Sequence, residues 1–265
     1  MDAPHRTALV TGAASGIGRA TAEELAARGY AVLALDIDEP GLAELVASAE
    51  GAGGTIRTRR VDVSDQDAVR RAVTEEVAGS ERLDAVVNCA ASFVASGLEV
   101  TTEEWELALG VNVRGISNVV QAAHPYLART PGAAVVNTAS ISARIAQPSR
   151  WTYNATKGAI VSLTRCMAMD LAVDGIRVNS VSPGWIWTPE VARAAAGDRE
   201  RWEPIWGRFH LLRRLGEPVE VARAIAFLCS AEASFITGTD LPVDGGYLAM
   251  GPEGLGDDST FAGTS

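Results

Sequence analysis

Short apolar runs alternate with longer segments of helical periodicity along almost the whole chain. The apolar runs, which we interpret as strands, cover residues 7–11, 31–36, 55–63, 83–90, 133–140, 176–184 and 240–246. The segments of helical spacing between them cover residues 16–29, 42–54, 65–79, 102–129, 150–173 and 217–230. Strands that follow helices at this spacing are predicted to pair in parallel, through right-handed crossovers.

The seven expected strands are apolar on both faces, which indicates a sheet that is covered by helices on both sides. We therefore predict an α/β fold, a single doubly wound domain of the Rossmann type with a seven-stranded parallel sheet. Residues 1–250 contain no internal linker and are expected to form this one domain. Residues 251–265 are rich in Gly, Asp, Ser and Thr, so we expect a flexible tail unless a neighbouring subunit holds it.

The charge balance and the cysteines narrow the class of protein. With 33 acidic and 23 basic residues the net charge is −10, which argues against a nucleic-acid partner, because phosphates require a concentrated basic patch. No apolar run approaches 20 residues and no signal sequence is evident, so we expect a cytoplasmic protein that binds no membrane. The three cysteines are widely spaced and are interpreted as buried small residues, and the isolated histidines indicate no metal site.

The glycine-rich stretch TGAASGIG, residues 11–18, lies between the first expected strand and the first expected helix. Gly12, Gly16 and Gly18 allow close approach of the backbone, and the helix start offers N–H groups to a pyrophosphate. Asp36 ends the second expected strand, where an acidic side chain would accept hydrogen bonds from an adenosine ribose and repel a 2′-phosphate. Because Ser15 stands in the glycine turn where a basic residue could have stood, we predict NAD as the cofactor rather than NADP.

Tyr153 and Lys157 stand four residues apart in YNATK, so they share one face of an expected helix. This pair alone is compatible with an ordinary surface contact. It is also compatible with an acid–base couple in which Lys157 lowers the pKa of the Tyr153 phenol toward the working pH.

Several motifs in the right order resemble those of the short-chain dehydrogenase/reductase family, over roughly residues 6 to 250. TGAASGIG resembles its cofactor turn, YNATK its Y-x-x-x-K motif, SPGWIWT (182–188) its P-G-x-x-x-T segment, and DGG (244–246) its last strand signature. Ser140 and Asn112 match its catalytic serine and asparagine. One departure lies at NCAA (88–91), where the family usually has N-N-A-G, so Cys89 and Ala91 put the local geometry in doubt.

The resemblance implies roles for four catalytic residues. Tyr153 would act as the base toward a hydroxyl, assisted by the positive charge of Lys157. Lys157 would also bind the nicotinamide ribose, and Ser140 would stabilise the charge on the substrate oxygen. Asn112 would hold a water that relays protons.

The same resemblance implies a set of residues that bind the cofactor. They are expected in the glycine turn, at the strand ends and in the catalytic helix. The set comprises Gly12, Ser15, Gly16, Ile17, Gly18, Asp36, Asp62, Val63, Asn88, Ala90, Tyr153, Lys157, Pro183, Ile186 and Thr188.

Substrate choice is expected to depend on a lid over residues 185–214 and on the stretch 141–151, which together contain five of the six tryptophans. Aromatic rings with a few cations suit a sugar, a sugar acid or a cyclic alcohol, but they also suit lid packing or a subunit interface. The candidate substrate residues are Arg144, Gln147, Arg150, Trp185 and Trp187.

We therefore expect an NAD-dependent dehydrogenase for a secondary alcohol, or a reductase for the matching ketone, which forms a homotetramer by family resemblance. The substrate would be a sugar, polyol, sugar acid or cyclic alcohol. One alternative is a 3-oxoacyl-(acyl-carrier-protein) reductase, against which Asp36 and the acidic net charge weigh. Another is a dinucleotide-binding protein without turnover, against which the complete Ser–Tyr–Lys set argues.

Overall fold

The computed structural model describes residues 6–49, 55–77 and 82–255, which form one parallel sheet between two layers of helices. The strands β1 to β7 are Arg6–Thr11, Tyr30–Asp36, Thr55–Arg60, Ala85–Asn88, Ala134–Thr138, Arg177–Pro183 and Asp240–Val243. The helices α1 to α9 are Gly16–Ala27, Glu39–Ala49, Gln66–Val77, Thr102–Leu109, Gly115–Leu127, Trp151–Leu171, Pro189–Ala194, Arg199–Gly207 and Pro218–Cys229.

The sheet has the strand order β3-β2-β1-β4-β5-β6-β7, and every neighbouring pair is parallel. The predicted fold, a doubly wound seven-stranded parallel sheet, is therefore confirmed. The chain reverses direction across the sheet between β1 and β4, whose last residues Thr11 and Asn88 are in register. Ligands of such folds bind at the carboxyl ends of the strands next to this reversal.

The sheet lies between two apolar layers, and its strands contain many small and β-branched residues. Every residue of β4, β5 and β6 is buried, as expected for strands covered on both faces. On one face Leu25 of α1 and Ile225 of α9 belong to one core cluster. On the other face Val73 of α3, Val119 of α5 and Ile160 of α6 belong to a second cluster.

The segment predicted as one helix over residues 102–129 has three parts. It starts with a capping box, in which Thr101 and Glu104 bond each other's backbone N–H groups. A π-helical turn, Gly110–Arg114, then separates α4 from α5. Such turns are frequent at functional sites, and this one contains Asn112.

Three expectations need correction or lie partly outside the described residues. The seventh strand ends at Val243 instead of residue 246, because Gly245 and Gly246 adopt positive φ angles of 58° and 83°. All three cysteines were expected to be buried. Only Cys229 is buried, whereas Cys89 is partly exposed and Cys166 is exposed, so the expectation was wrong for these two. The expected tail begins with a short 3₁₀ helix at Pro252–Leu255, and residues 256–265 lie outside the described part.

Within that described part, no helix has the length and apolar character needed to cross a membrane. The same residues contain no cluster of three or more His, Cys, Asp or Glu side chains that could bind a metal ion.

Candidate active site

A cavity of about 540 Å³ lies at the carboxyl ends of the strands. Its wall includes Asp36 at the end of β2, the glycine turn after β1, and Ser140 just beyond β5. The sheet order therefore separates an Asp36 side from a Ser140 side, with the glycine turn between them. A volume of this size is typical of a small-molecule or cofactor site.

The glycine turn brings three backbone segments into contact. Gly12 has a φ angle of 66°, and a Cβ atom there would lie 2.6 Å from the backbone nitrogen of Ala90. A Cβ atom on Gly18 would lie 1.9 Å from the carbonyl oxygen of Gly12. Ser15 precedes α1 without capping it through its side chain, so the first N–H groups of α1 remain available on the cavity wall. This arrangement fits an anionic pyrophosphate.

The carboxylate of Asp36 is held in place by two backbone groups. Ala14 N donates to Oδ2 at 2.9 Å and Asp38 N donates to Oδ1 at 3.0 Å. Asp62, which also lines the cavity, accepts from the backbone and the hydroxyl of Ser64. Carboxylate oxygens have further lone pairs, so a fixed Asp36 can accept hydrogen bonds from ligand hydroxyls.

Nearly all residues that sequence analysis predicted for the cofactor line this one cavity. Asn88 is the exception, because its buried side chain donates to Asn137 Oδ1 at 2.9 Å and links β4 to β5. The cavity-lining members are Gly12, Ser15, Gly16, Ile17, Gly18, Asp36, Asp62, Val63, Ala90, Tyr153, Lys157, Pro183, Ile186 and Thr188. The uncapped helix start and the acceptor at Asp36 make this set suitable for a dinucleotide.

Tyr153, Lys157 and Ser140 are brought together by α6 and by the end of β5. The Ser140 hydroxyl acts on the Tyr153 phenol and lowers its pKa, and the Tyr153 ring stacks on Phe93 with centroids 5.3 Å apart. Lys157 Nζ lies 5.5 Å from the centre of the Tyr153 ring and donates to the carbonyl oxygen of Thr138 at 2.9 Å. Ser140 Oγ also accepts from Ser142 N at 3.1 Å, which fixes its position.

Burial has the largest effect on the ionisation of this group. Burial raises the pKa of the Tyr153 phenol to about 12, although the Ser140 hydrogen bond and the Arg150 charge act against the rise. Burial also lowers the pKa of the Lys157 ammonium to about 8. The sequence predicted a lowered pKa for Tyr153, and the protein groups alone do not produce it, because loss of solvation outweighs the nearby charges.

Asn112 lies behind the cavity wall, and its neighbour Val111 lines the cavity instead. The Asn112 side chain is fully buried, with Nδ2 donating to Ser92 O at 3.0 Å and to Thr156 Oγ1 at 3.1 Å. Its Oδ1 accepts from Ser92 N at 2.7 Å. Both amide hydrogens and one of the two Oδ1 lone pairs are therefore used within the protein, which leaves the side chain one acceptor position for the predicted water.

The five candidate substrate residues divide into two groups. Gln147, Arg150 and Trp185 line the cavity. Arg144 does not, because its guanidinium bonds Asp240 at 2.7 Å. Trp187 is also outside the cavity wall, with Arg199 stacked 5.2 Å from its ring centre. Arg144 and Trp187 are therefore not part of this cavity wall.

The predicted lid region contains α7 and α8, which differ in their attachments. In α8, Arg199 bonds both Glu203 and Glu217, and Trp206 stacks between Trp185 and Trp202 at centroid distances of 5.0 and 4.9 Å. None of the α7 residues Pro189–Ala194 is buried, and most of them line the cavity. Ion pairs and ring stacking therefore attach α8 to its neighbours, whereas α7 is the less buried part of the expected lid.

Some cavity residues were not named individually from the sequence. Phe93 lies in a loop whose composition gives no sign of a site, Ser142 lies in the 3₁₀ helix Ile141–Ala143, and Glu190 is an ordinary acidic residue in the first turn of α7. Each reaches the cavity only through tertiary packing. A periodicity argument cannot locate such contacts.

The fold and this site define a class of protein, a dinucleotide-dependent oxidoreductase built on a doubly wound sheet. Comparison with known proteins agrees, since a family model described as enoyl-(acyl carrier protein) reductase matches residues 12–248. The chain belongs to the short-chain dehydrogenase/reductase family. It is accordingly an NAD(P)-dependent oxidoreductase that acts on alcohol or ketone substrates.

Similar proteins of this family carry different activities in their names. A cis-4-hydroxycyclohexanecarboxylate dehydrogenase of Sinomonas cyclohexanicum is 38% identical, over 93% of this chain and 98% of its own. A 3-oxoacyl-[acyl-carrier-protein] reductase of Thermotoga maritima is 36% identical, over 92% of this chain and 98% of its own. The ligand-free structure of Thermoplasma acidophilum aldohexose dehydrogenase matches with a TM-score of 0.85 at 34% identity, over 94% of this chain and 96% of its own.

Proposed function

We propose that this protein is an NAD-dependent dehydrogenase that oxidises a secondary alcohol or reduces the matching ketone, with a sugar, polyol, sugar acid or cyclic alcohol as substrate. The observation that carries the proposal is one cavity lined both by Asp36 and by the Ser140–Tyr153–Lys157 group. The named activities of similar proteins include a cyclic hydroxy acid dehydrogenase and an aldohexose dehydrogenase, which support this substrate range.

In the proposed mechanism the catalytic side chains handle the proton of the substrate hydroxyl. Tyr153 accepts that proton during oxidation and returns it during reduction, and Ser140 donates to the substrate oxygen while its charge changes. Lys157, held by the Thr138 carbonyl, has two further ammonium hydrogens available for ribose hydroxyls. A bound nicotinamide supplies the hydride acceptor for the alcohol, and its oxidised form adds a positive charge that favours the Tyr153 phenolate.

The preference for NAD over NADP is supported by Asp36. Its carboxylate is fixed by Ala14 N and Asp38 N on the cavity wall, beside the exposed Ile37. A 2′-phosphate at this place would meet a negative charge, whereas a free ribose hydroxyl could donate to it. The nearby guanidinium of Arg60 is directed to the Ile37 carbonyl oxygen at 3.2 Å.

A 3-oxoacyl-(acyl-carrier-protein) reductase is the second candidate, because the Thermotoga maritima relative has that activity in its name. An acidic carrier protein would be repelled on average by a chain of net charge −10. Activity with an acyl-carrier-protein thioester that exceeds activity with free secondary alcohols would favour this candidate.

We expect a homotetramer. Apolar side chains are exposed on two helices, namely Leu107 and Leu109 on α4 and Met169 on α6. Phe235, near β7, is also fully exposed. Burial of such side chains between subunits is favourable, and sedimentation or solution scattering that reports a monomer would contradict the expectation.

The direct test is a dehydrogenase panel with sugars, polyols, sugar acids, steroids, cyclic alcohols and hydroxy acids at alkaline pH, with NAD and NADP compared. NADH formation with at least one secondary alcohol is the expected result, and its rate should exceed the rate with NADP. The matched control is Tyr153→Phe, which keeps the ring and removes the hydroxyl. Absence of turnover across the panel, or equal turnover by this variant, would overturn the proposal.

A further inference from the structure

Arg150 is a cation at the substrate side of the cavity, with no partner among the residues that the structure describes. It lines the cavity three residues before Tyr153, at the start of α6. Within residues 6–49, 55–77 and 82–255, its guanidinium forms no hydrogen bond or ion pair. The half-buried guanidinium of Arg150 carries five N–H donors, and within the described residues none of them is bonded to a protein acceptor.

The other arginine on the cavity wall, Arg193, pairs with Glu190 in the first turn of α7. Beyond the wall, carboxylates also pair with Arg144 (Asp240), Arg199 (Glu203 and Glu217) and Arg214 (Glu220). In a chain with ten more acidic than basic residues, this leaves the Arg150 charge uncompensated where a substrate would bind.

Gln147 adds a second unused donor to the same wall. The hydroxyl of Ser142 donates to Gln147 Oε1 at 2.6 Å, which fixes the amide through its oxygen. Its Nε2 group has no hydrogen-bond partner within the described ranges. One planar guanidinium and one amide N–H₂ together match the two oxygens of a carboxylate, which arginine binds in a bidentate manner.

We propose that Arg150, assisted by Gln147, binds a carboxylate on the substrate, so that the preferred substrates are hydroxy acids or the matching oxo acids. This inference deepens the proposed function and rests on it. A carboxylate is favoured over a phosphate because one guanidinium balances one negative charge. A phosphate dianion would bring a second charge into a cavity that also contains Glu190.

The binding test does not depend on turnover. Cyclohexanecarboxylate and its neutral counterpart cyclohexanecarboxamide are titrated calorimetrically into the full chain saturated with NAD. The wild type is expected to bind the carboxylate at least about tenfold more tightly than the amide, because a hydrogen bond to a charged group is worth that much. In Arg150→Gln the ratio of the affinity for the carboxylate to that for the amide should fall by about 10- to 100-fold. Arg150→Lys should retain part of this preference.

Arg71→Gln is the matched control. It removes the same charge as Arg150→Gln, but Arg71 is an exposed residue of α3 outside the cavity. Its carboxylate preference should equal that of the wild type. Inorganic phosphate should not displace cyclohexanecarboxylate. Equal affinities for acid and amide in the wild type, an unchanged preference in both Arg150 variants, or displacement by phosphate would each overturn the inference.

A turnover test separates this inference from the proposed function. The ratio of kcat/KM for 4-hydroxycyclohexanecarboxylate to that for its methyl ester is measured for the wild type and the three variants. An effect of the Arg150 charge on Tyr153 would change turnover of the acid and of the ester alike, so it cancels in this ratio. The ratio should fall only in the Arg150 variants. Oxidation of the ester without acid preference contradicts the inference alone. Carboxylate preference in binding without oxidation of any alcohol contradicts the proposed function alone.

Discussion

The side chain of Asn112 donates a hydrogen bond to Thr156 Oγ1 at 3.1 Å, and both side chains are completely buried. Thr156 in turn donates to the carbonyl oxygen of Tyr153 and directly precedes Lys157. The π-helical turn between α4 and α5 is therefore connected to the two residues of α6 on which the proposed chemistry depends. The connection suggests that Asn112 acts through the position of α6.

Removal of the Asn112 side chain is expected to affect stability and turnover together. Asn112→Ala leaves Ser92 N, Ser92 O and Thr156 without their partner, which should lower the free energy of unfolding by about 1–3 kcal/mol. Thr156→Val, which removes one hydroxyl at nearly constant shape, should lower kcat in the same direction. Urea unfolding and steady-state kinetics provide the check. Normal kcat in both folded variants would show that the connection has no role in positioning.

Loss of the Tyr153 hydroxyl is expected to abolish most of the turnover without loss of cofactor binding. Tyr153→Phe retains the ring that stacks on Phe93, so the cavity wall should keep its shape. Without the proton acceptor, kcat should fall by about 10²- to 10⁴-fold. NADH binding, followed by its fluorescence, should change by less than about threefold, since the other cofactor residues are intact. Near-normal turnover would refute the assigned role.

The fold was predictable because its signal is periodic and local. Alternation of short apolar runs with helical segments predicted parallel strands joined by right-handed crossovers, and the seven-stranded parallel sheet agrees. The glycine turn and the Tyr153–Lys157 pair were also recognisable, since each depends on neighbours within eight residues. Their gathering around one cavity follows directly from the topology.

The parts that failed depend on long-range contacts. Arg144 was expected at the substrate cavity, but its partner Asp240 is 96 residues away in the sequence. The raised pKa of Tyr153 reflects burial by the whole fold, which the i, i+4 spacing with Lys157 does not reveal. Similarly, the sequence does not show that Arg193 on the cavity wall pairs with a carboxylate whereas Arg150 has no partner among the described residues, because the fold determines each pairing.

Neutralisation of Asp36 is expected to weaken the preference for NAD. Asp36→Asn keeps an acceptor oxygen for Ala14 N but removes the charge, so a 2′-phosphate no longer meets a carboxylate. The ratio of kcat/KM for NAD to that for NADP should fall by about tenfold or more. Asp38→Asn, an exposed neighbour that is not on the cavity wall, is the control. An unchanged ratio in Asp36→Asn would exclude Asp36 as the source of discrimination.

Lys157 is expected to make the stability of the unliganded protein depend on alkaline pH. Burial lowers its pKa in the folded chain from 10.5 to about 8, so the folded chain binds fewer protons than the unfolded chain between these values. Stability from this residue should therefore rise with pH between about 8 and 10.5, by an amount on the order of 2–3 kcal/mol. Tyr153, whose pKa is raised to about 12, lowers stability only above its ordinary value of 10.0.

Lys157→Met removes this titration while a side chain of similar length still fills the site. Urea unfolding of both proteins at pH 7, 8, 9 and 10 should give a stability difference, wild type minus variant, that increases with pH. The difference cancels the titration of Tyr153 and of the surface residues common to both proteins. Parallel stability curves from pH 7 to 10 would mean that the Lys157 ammonium keeps its ordinary pKa in the folded chain.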